Sequence, residues 1–505
     1  SALTVGWLPL ADAPALHRDV AALARPLGCR QVQLSHHLCH DADDLIGDPA
    51  RAARARETVA AYRAAGQSVW CWTHEVRLPP AACVRAGRLD FDDPALWSAL
   101  EAKYARFFTT VLPGIDGLVL TFAETDFPVY QDGQVDGGGT PAQRTARLAN
   151  ALQAICRRHG KRLAIRDFVY RRSEIEAMAE ALAACDDDIV IMSKCVPHDW
   201  HPFYPVNPLL GRTGHKEQWI EFDFGHEYEG QHLYPYAEVE ANLERLRHAY
   251  ACGVKTVLVR LDRAVRFLGR SALHAPWGRL ELLTVQRFAA DPRVEAEAIW
   301  NEWERTQFPG ARRLVEDATK AVQLMLFPHE FWYADHSRLP TWDYAATHLV
   351  DGNADRLPVW TGHALHRERE WLFRTMPAAW RDELEREAAQ ALALVQACRR
   401  RLEAAPSDAA APWQDGLRQL ELWMDLFARH RRAYFLIEYA RRHAHGAQAD
   451  EIAAAIDDLA SACALAEPEL ASAMLEHEPA TANFARVIDS LRRASPLAPA
   501  SPMPT

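Results

Sequence analysis

Histidines, carboxylates and a few cations follow one another at the ends of short β-branched and aromatic runs in the first half of the chain. They are His36 and His37, His74 and Glu75, Glu124 and Asp126, Arg166 and Asp167. Lys194, His198 and Asp199, then Asp223, His226 and Glu227, and last Arg260 and Asp262 complete the series. Glycosidic cleavage needs this kind of equipment: one carboxylic acid protonates the leaving oxygen, and a second carboxylate activates water or attacks carbon. The simpler alternative is that these charges pair with each other as a solvated rim, which contributes little to stability.

The elements that must hold such groups follow a βα rhythm. Eight strand-like runs, LTVGWL, RQVQLSHH, SVWCWTHEV, GLVLTFAET, RLAIRDFVY, IVIMSKC, QWIEFDF and TVLVRLD, alternate with amphipathic helical stretches. Gly28, Gly66, Gly160 and Gly253 stand where a helix closes in a left-handed C-cap. Thr140-Pro141 reads as an N-cap with proline at N1, and Ser173 with Glu176 as a capping box. Eight βα units predict a (β/α)8 TIM barrel, an α/β fold with its site at the C-terminal strand ends, so carboxylates on strands four, six and seven face each other across the mouth. A doubly wound sheet would need a glycine-rich fingerprint after strand one, and there is none.

The barrel is expected over 1-288. An all-α C-terminal domain over 289-495 follows, from its Ala-, Leu-, Glu- and Arg-rich helical periodicity, and then a flexible tail over 496-505. One stretch, MLFPHEFWYADHSRLPTWDY, breaks that periodicity with prolines and aromatics and is expected to fold back over the barrel mouth. A homodimer through the helical domain is a further expectation.

The net charge of -11 is spread along the chain with no basic run, which argues against nucleic acid as a partner and makes local cations necessary if the substrate is an anion. Ten scattered cysteines without a CxxC pair read as reduced thiols. Zinc is weighed for His36, His37, Cys39 and His40, but their spacing fits no ligand motif, so no metal and no cofactor are expected. No 18-residue apolar window suggests a membrane span; the expected compartment is cytoplasmic, or periplasmic if a signal peptide has been removed.

From strand four to strand seven the motifs resemble the family 67 α-glucuronidases, which remove glucuronic acid branches from xylan fragments. DGLVLTFAETD resembles the strand that bears the family's general acid, implying that role for Glu124. RLAIRDFVY resembles the strand whose arginine binds the sugar carboxylate, implying Arg166. IVIMSKCVPHDWHPFYPVNPLLG keeps a lysine five residues before an aspartate, Lys194 and Asp199, and IEFDFGHEYEGQ places the second catalytic carboxylate at Glu227. The resemblance covers residues 115 to 345. Leu120 stands where the family carries a lysine, and the family's N-terminal β-rich domain is expected to be absent, since strand one starts almost immediately.

The resemblance implies an inverting, exo-acting enzyme that releases a terminal glucuronic or related uronic acid from an oligosaccharide, with Glu124, Asp199 and Glu227 as catalytic residues. Arg166 and Lys194 would clamp the uronate. His36, His37, His74, Glu75, Asp167, Trp200, Tyr228 and Arg260 complete the expected substrate-binding set. Two alternatives stay open at this level: a glycosidase for another, neutral sugar, inverting or retaining with Glu227 as nucleophile, and a non-catalytic carbohydrate-binding barrel.

Overall fold

The computed structural model describes residues 4-9 by their backbone and, beyond them, residues 28-34, 38-261, 275-351, 356-443, 448-471, 473-475 and 478-496. Eight parallel strands close a barrel: β1 (Thr4–Pro9), β2 (Cys29–Gln33), β3 (Ser68–His74), β4 (Gly117–Thr121), β5 (Arg162–Arg166), β6 (Val190–Lys194), β7 (Gln218–Asp223) and β8 (Thr256–Leu261). Each strand pairs with its sequence neighbours, and β8 closes onto β1 with Thr256 opposite Thr4. These are the eight runs read from the sequence. Several end sooner than expected, β4 at Thr121, because the residues beyond leave the ladder to build the mouth.

Side-chain parity decides what the mouth contains, since alternate residues of a strand face opposite sides. Trp70, Trp72, Val119, Ala164, Val190, Met192, Trp219 and Leu258 form a separate apolar cluster that fills the barrel. Trp70 and Trp219 meet edge to face with centroids 4.9 Å apart, a geometry that aromatic quadrupoles favour. Gly117 makes room for them: a Cβ there would lie 2.5 Å from the Trp70 ring. In phase with this cluster, at the C-terminal ends, come His74, Arg166, Lys194, Glu221, Asp223 and Arg260. Out of phase come Glu75, Leu120, Asp167 and Phe222, which face the surrounding helices.

The helix termini follow local chemistry. Gly28, Gly66, Gly160 and Gly253 all have positive φ, as the C-cap reading requires. Thr140 accepts the N–H of Gln143, whose side chain accepts the N–H of Thr140, a complete capping box ahead of Pro141. The box expected from Ser173 and Glu176 does not form. The helix Ile175–Ala184 starts later, and Glu174 instead accepts the N–H groups of Tyr170 and Arg171, which lie upstream of it.

The remainder is helical, with Ala311–Leu326, Ala378–Glu403 and Gln414–His443 packed together around a buried Arg431–Glu387 pair at 2.9 Å. After Leu326 the aromatic, proline-containing segment returns to the barrel. There Ser337 Oγ accepts the N–H of Gly230 and donates to the carbonyl of Glu227, and Trp332 packs edge-on against Tyr228. No helix of the described residues is long and apolar enough to cross a membrane.

Candidate active site

Glu124 is the third residue past β4 and sits in the left-handed region at φ +57°. For a residue with a Cβ that conformation costs about 1–3 kcal/mol, and it persists only where the surroundings fix it. Here the Glu124 N–H donates to the Tyr170 hydroxyl at 3.2 Å, and the carboxylate lies 3.5 Å from His74 Nε2. The side chain is half-exposed in the mouth.

His74 is fully buried behind it. Its Nδ1 lies 3.1 Å from Asp41 Oδ1 and 3.0 Å from the carbonyl of His40, both acceptors, so Nδ1 carries a proton. The ring stacks flat on His40 at 3.9 Å. Burial disfavours a charged His74, yet Asp41 and Glu124 outweigh it and raise its pKa. Burial likewise raises the carboxyl of Glu124, but His74, and Arg166 behind it, hold it down to about 2.

Across the mouth, Lys194 Nζ binds Asp199 Oδ1 at 2.9 Å, and the Tyr228 hydroxyl donates to Asp199 Oδ2 at 2.7 Å. Although burial opposes its charge, Asp199 is held well below the usual carboxylate range, chiefly by Lys194. Burial in turn lowers the Lys194 pKa. Glu227 is buried with its carboxylate 3.7 Å from Arg260 Nη1 and 3.7 Å from His336 Nε2. Its N–H donates to Asp223 Oδ2, which sets the loop's turn.

The floor is cationic. Arg166 Nε donates to Glu221 Oε2 at 2.8 Å, while Glu221 Oε1 is 3.7 Å from Arg260 Nε. One carboxylate thus lies between two guanidinium groups, and Lys194 adds a third cation. Trp200 lies under Lys194 and Arg260, and Phe168 under Lys194 and Arg166, at 4.0 to 5.6 Å. Buried Arg166 Nη2 and Arg260 Nε find no hydrogen-bond partner among the described residues. Unused buried guanidinium donors cost free energy, and an anion in the mouth would relieve that cost.

Not every expected residue reaches this place. Glu75 turns outward to Lys103 and Tyr104 behind the sheet, and burial raises its pKa. Asp167 also points outward, accepting from Ser193 Oγ at 2.5 Å, with burial pushing it up to about 7. Both were expected at the substrate, and strand parity takes each to the other face. His226 turns away to Glu281 at 2.6 Å, and His198 is buried between the rings of Phe168 and Trp360. His36, His37 and Asp262 lie outside the described residues.

Sequence reading missed Asp41, Glu221, Tyr170 and His336. Glu221 was legible from parity, two residues after the inward-facing Trp219. His40, Asp41 and His74 place ligand-type atoms within 4.8 Å of one another. The Arg77 guanidinium pairs with Asp41.

No protein-family profile matches the chain, and no curated protein matches it in sequence. Among solved structures it is similar to a GH138 enzyme targeting pectin rhamnogalacturonan II, with TM-score 0.57 and 10% identity over 94% of this chain and 63% of that one. It is also similar to a family GH115 4-O-methyl-α-glucuronidase with specificity for decorated arabinogalactans, with TM-score 0.53 and 12% identity over 99% of this chain and 63% of that one. The chain spans less than two thirds of the length of either. At such identities the likeness establishes a common fold, here a parallel barrel followed by a helical region.

Proposed function

We propose that this chain is a glycoside hydrolase acting on a sugar that carries a carboxylate, an exo-acting α-glucuronidase-like enzyme working with inversion. The observation that carries the reading is the pairing of a half-exposed carboxylate, Glu124, with a floor of three buried cations, two of which hold unused donors. A net-negative protein binds a uronate only with such local charge, and a planar guanidinium can take a carboxylate with two parallel hydrogen bonds. The family 67-like motifs support the same substrate class, as does the named activity of one similar structure, the 4-O-methyl-α-glucuronidase; the GH138 enzyme supports a glycoside hydrolase in general.

In this reading the acid is the His74–Glu124 pair and not Glu124 alone. The pair holds one transferable proton, on Nε2 while the site rests and on Oε2 as the leaving oxygen gathers charge, and Asp41 keeps the imidazole oriented throughout. Asp199, fixed by Lys194 and Tyr228, orients the attacking water. Glu227 takes its proton. Arg166, Lys194 and Arg260 hold the uronate, and Trp200 closes the floor. Leu120 faces the helix layer, away from the mouth, so a leucine there removes nothing from the uronate site.

Incubation with aldouronic acids and a panel of aryl α-uronosides, followed by proton NMR of the first product, tests the reading. Free uronate of inverted anomeric configuration is the expected result. Absence of release across the panel would remove the uronate assignment.

A further inference from the structure

His336 is the residue that the helical region extends to the water-activating side of the site, and its surroundings determine its protonation. Nδ1 lies 2.7 Å from Asp335 Oδ1, and Nε2 lies 3.3 Å from the Tyr228 hydroxyl and 3.7 Å from Glu227 Oε1. Tyr228 has a single proton, and it goes to Asp199 Oδ2 at 2.7 Å. The tyrosine oxygen can then only accept from His336, which requires a proton on Nε2. Asp335, paired with Arg338 as well, is an acceptor at Nδ1, which requires a second proton there.

We propose that His336 is a positioning residue of this active site, held as an imidazolium between Asp335 and Tyr228 so that Asp199 stays aimed and Glu227 stays ionised. The proposal rests on reading Asp199 and Glu227 as the carboxylates that handle water. It assigns the helical region a part in the chemistry: the segment is a component of the site and not merely a neighbour of the barrel.

The backbone supports this independently. His336 (φ +47°) and Ser337 (φ +66°) are consecutive non-glycine residues in the left-handed region, an arrangement that isolated residues avoid. It is maintained by a turn that Asp335 and Arg338 close with two backbone hydrogen bonds, and by three hydrogen bonds to the barrel loop. These are Ser337 Oγ to the Glu227 carbonyl, Gly230 N–H to Ser337 Oγ, and Gln231 Nε2 to the His336 carbonyl. Backbone strain retained at a fixed position beside candidate catalytic carboxylates is characteristic of functional geometry. The imidazole keeps 31% of its surface exposed, enough for a small molecule to replace it.

Two measurements on the full chain decide the matter. Long-range proton–nitrogen spectra of histidine-labelled protein at neutral pH, with His336 assigned from His336→Gln, are expected to show both ring nitrogens protonated, and Tyr228→Phe is expected to shift the Nε2 signal. A neutral ring with one bare nitrogen overturns the proposal. On the released-uronate assay, His336→Ala is expected to lose about tenfold to hundredfold in kcat with KM little changed, and added imidazole to restore part of it. The same imidazole should not restore Ser337→Ala, which loosens the segment without removing the charge. Full activity in His336→Ala, or a loss that imidazole cannot reverse, also overturns the proposal. If the wild-type chain releases nothing from any uronoside, the hydrolase reading fails while the spectra still decide the state of His336.

Discussion

His74 Nε2 stands 3.5 Å from Glu124 Oε2, with Asp41 on the imidazole's other nitrogen. The candidate acid therefore lies at ion-pair distance from a buried histidine. Glu227 and Asp199 stand in a parallel relation to the Asp335–His336 pair, so each side of the mouth has an aspartate–histidine unit behind its carboxylates.

Replacing His74 with glutamine keeps a neutral donor and removes the charge. Glu124 is then expected to titrate well above its wild-type position of about 2, toward the ordinary 4.5. Its depressed pKa means that the pair's stabilisation is complete above the ordinary value and is lost as pH falls toward 2. Carbon NMR of labelled glutamate side chains checks this, and wild-type titration near 4.5 would show that the pair is not formed.

Glu124→Gln removes the carboxylate that passes the proton to the leaving oxygen while keeping shape. Turnover should fall by about two to four orders of magnitude, the range for positioned acids, with sugar affinity largely kept. Calorimetry with glucuronic acid alongside the product assay separates the two quantities. Unchanged turnover would exclude Glu124 from the chemistry.

Arg166→Ala leaves Glu221 without its close partner, with Arg260 at 3.7 Å, in a buried setting. Removing one member of a buried ion pair costs about 3–5 kcal/mol, so a clear drop in thermal unfolding temperature is expected, together with loss of uronate binding. Arg166→Met combined with Glu221→Gln should recover part of the stability and none of the binding. Retained uronate affinity in both variants would remove Arg166 from the clamp.

Asp167 offers a prediction away from the mouth. Burial raises it from 3.8 to about 7, so between those values the folded chain holds a proton that the unfolded chain releases, and stability falls as pH rises through that window. About three pH units correspond to about 4 kcal/mol. Asp167→Asn keeps the contact with Ser193 and should gain stability relative to wild type at pH 8 but not at pH 4. Denaturant unfolding at the two pH values measures the difference.

The amino-acid order alone determined the eight strands, the four glycine C-caps, the Thr140 N-cap and the positions at which ionisable side chains leave the strands, because these follow from local periodicity and from glycine and N-cap chemistry. It also indicated that MLFPHEFWYADHSRLPTWDY would behave differently from its helical surroundings. It could not decide which ionisable groups share the mouth. Glu75 and Asp167 face outward while Glu221 faces inward, because closure of the barrel selects one parity on each strand. Asp41 meets His74 from 33 positions away, and His336 meets Glu227 from 109, since these contacts arise when the connecting loops pack and not from any local pattern. The chain thus declared Glu124, Asp199, Glu227 and His74, and the tertiary structure supplied Asp41, Glu221 and His336 beside them, because partners distant in sequence are chosen by packing.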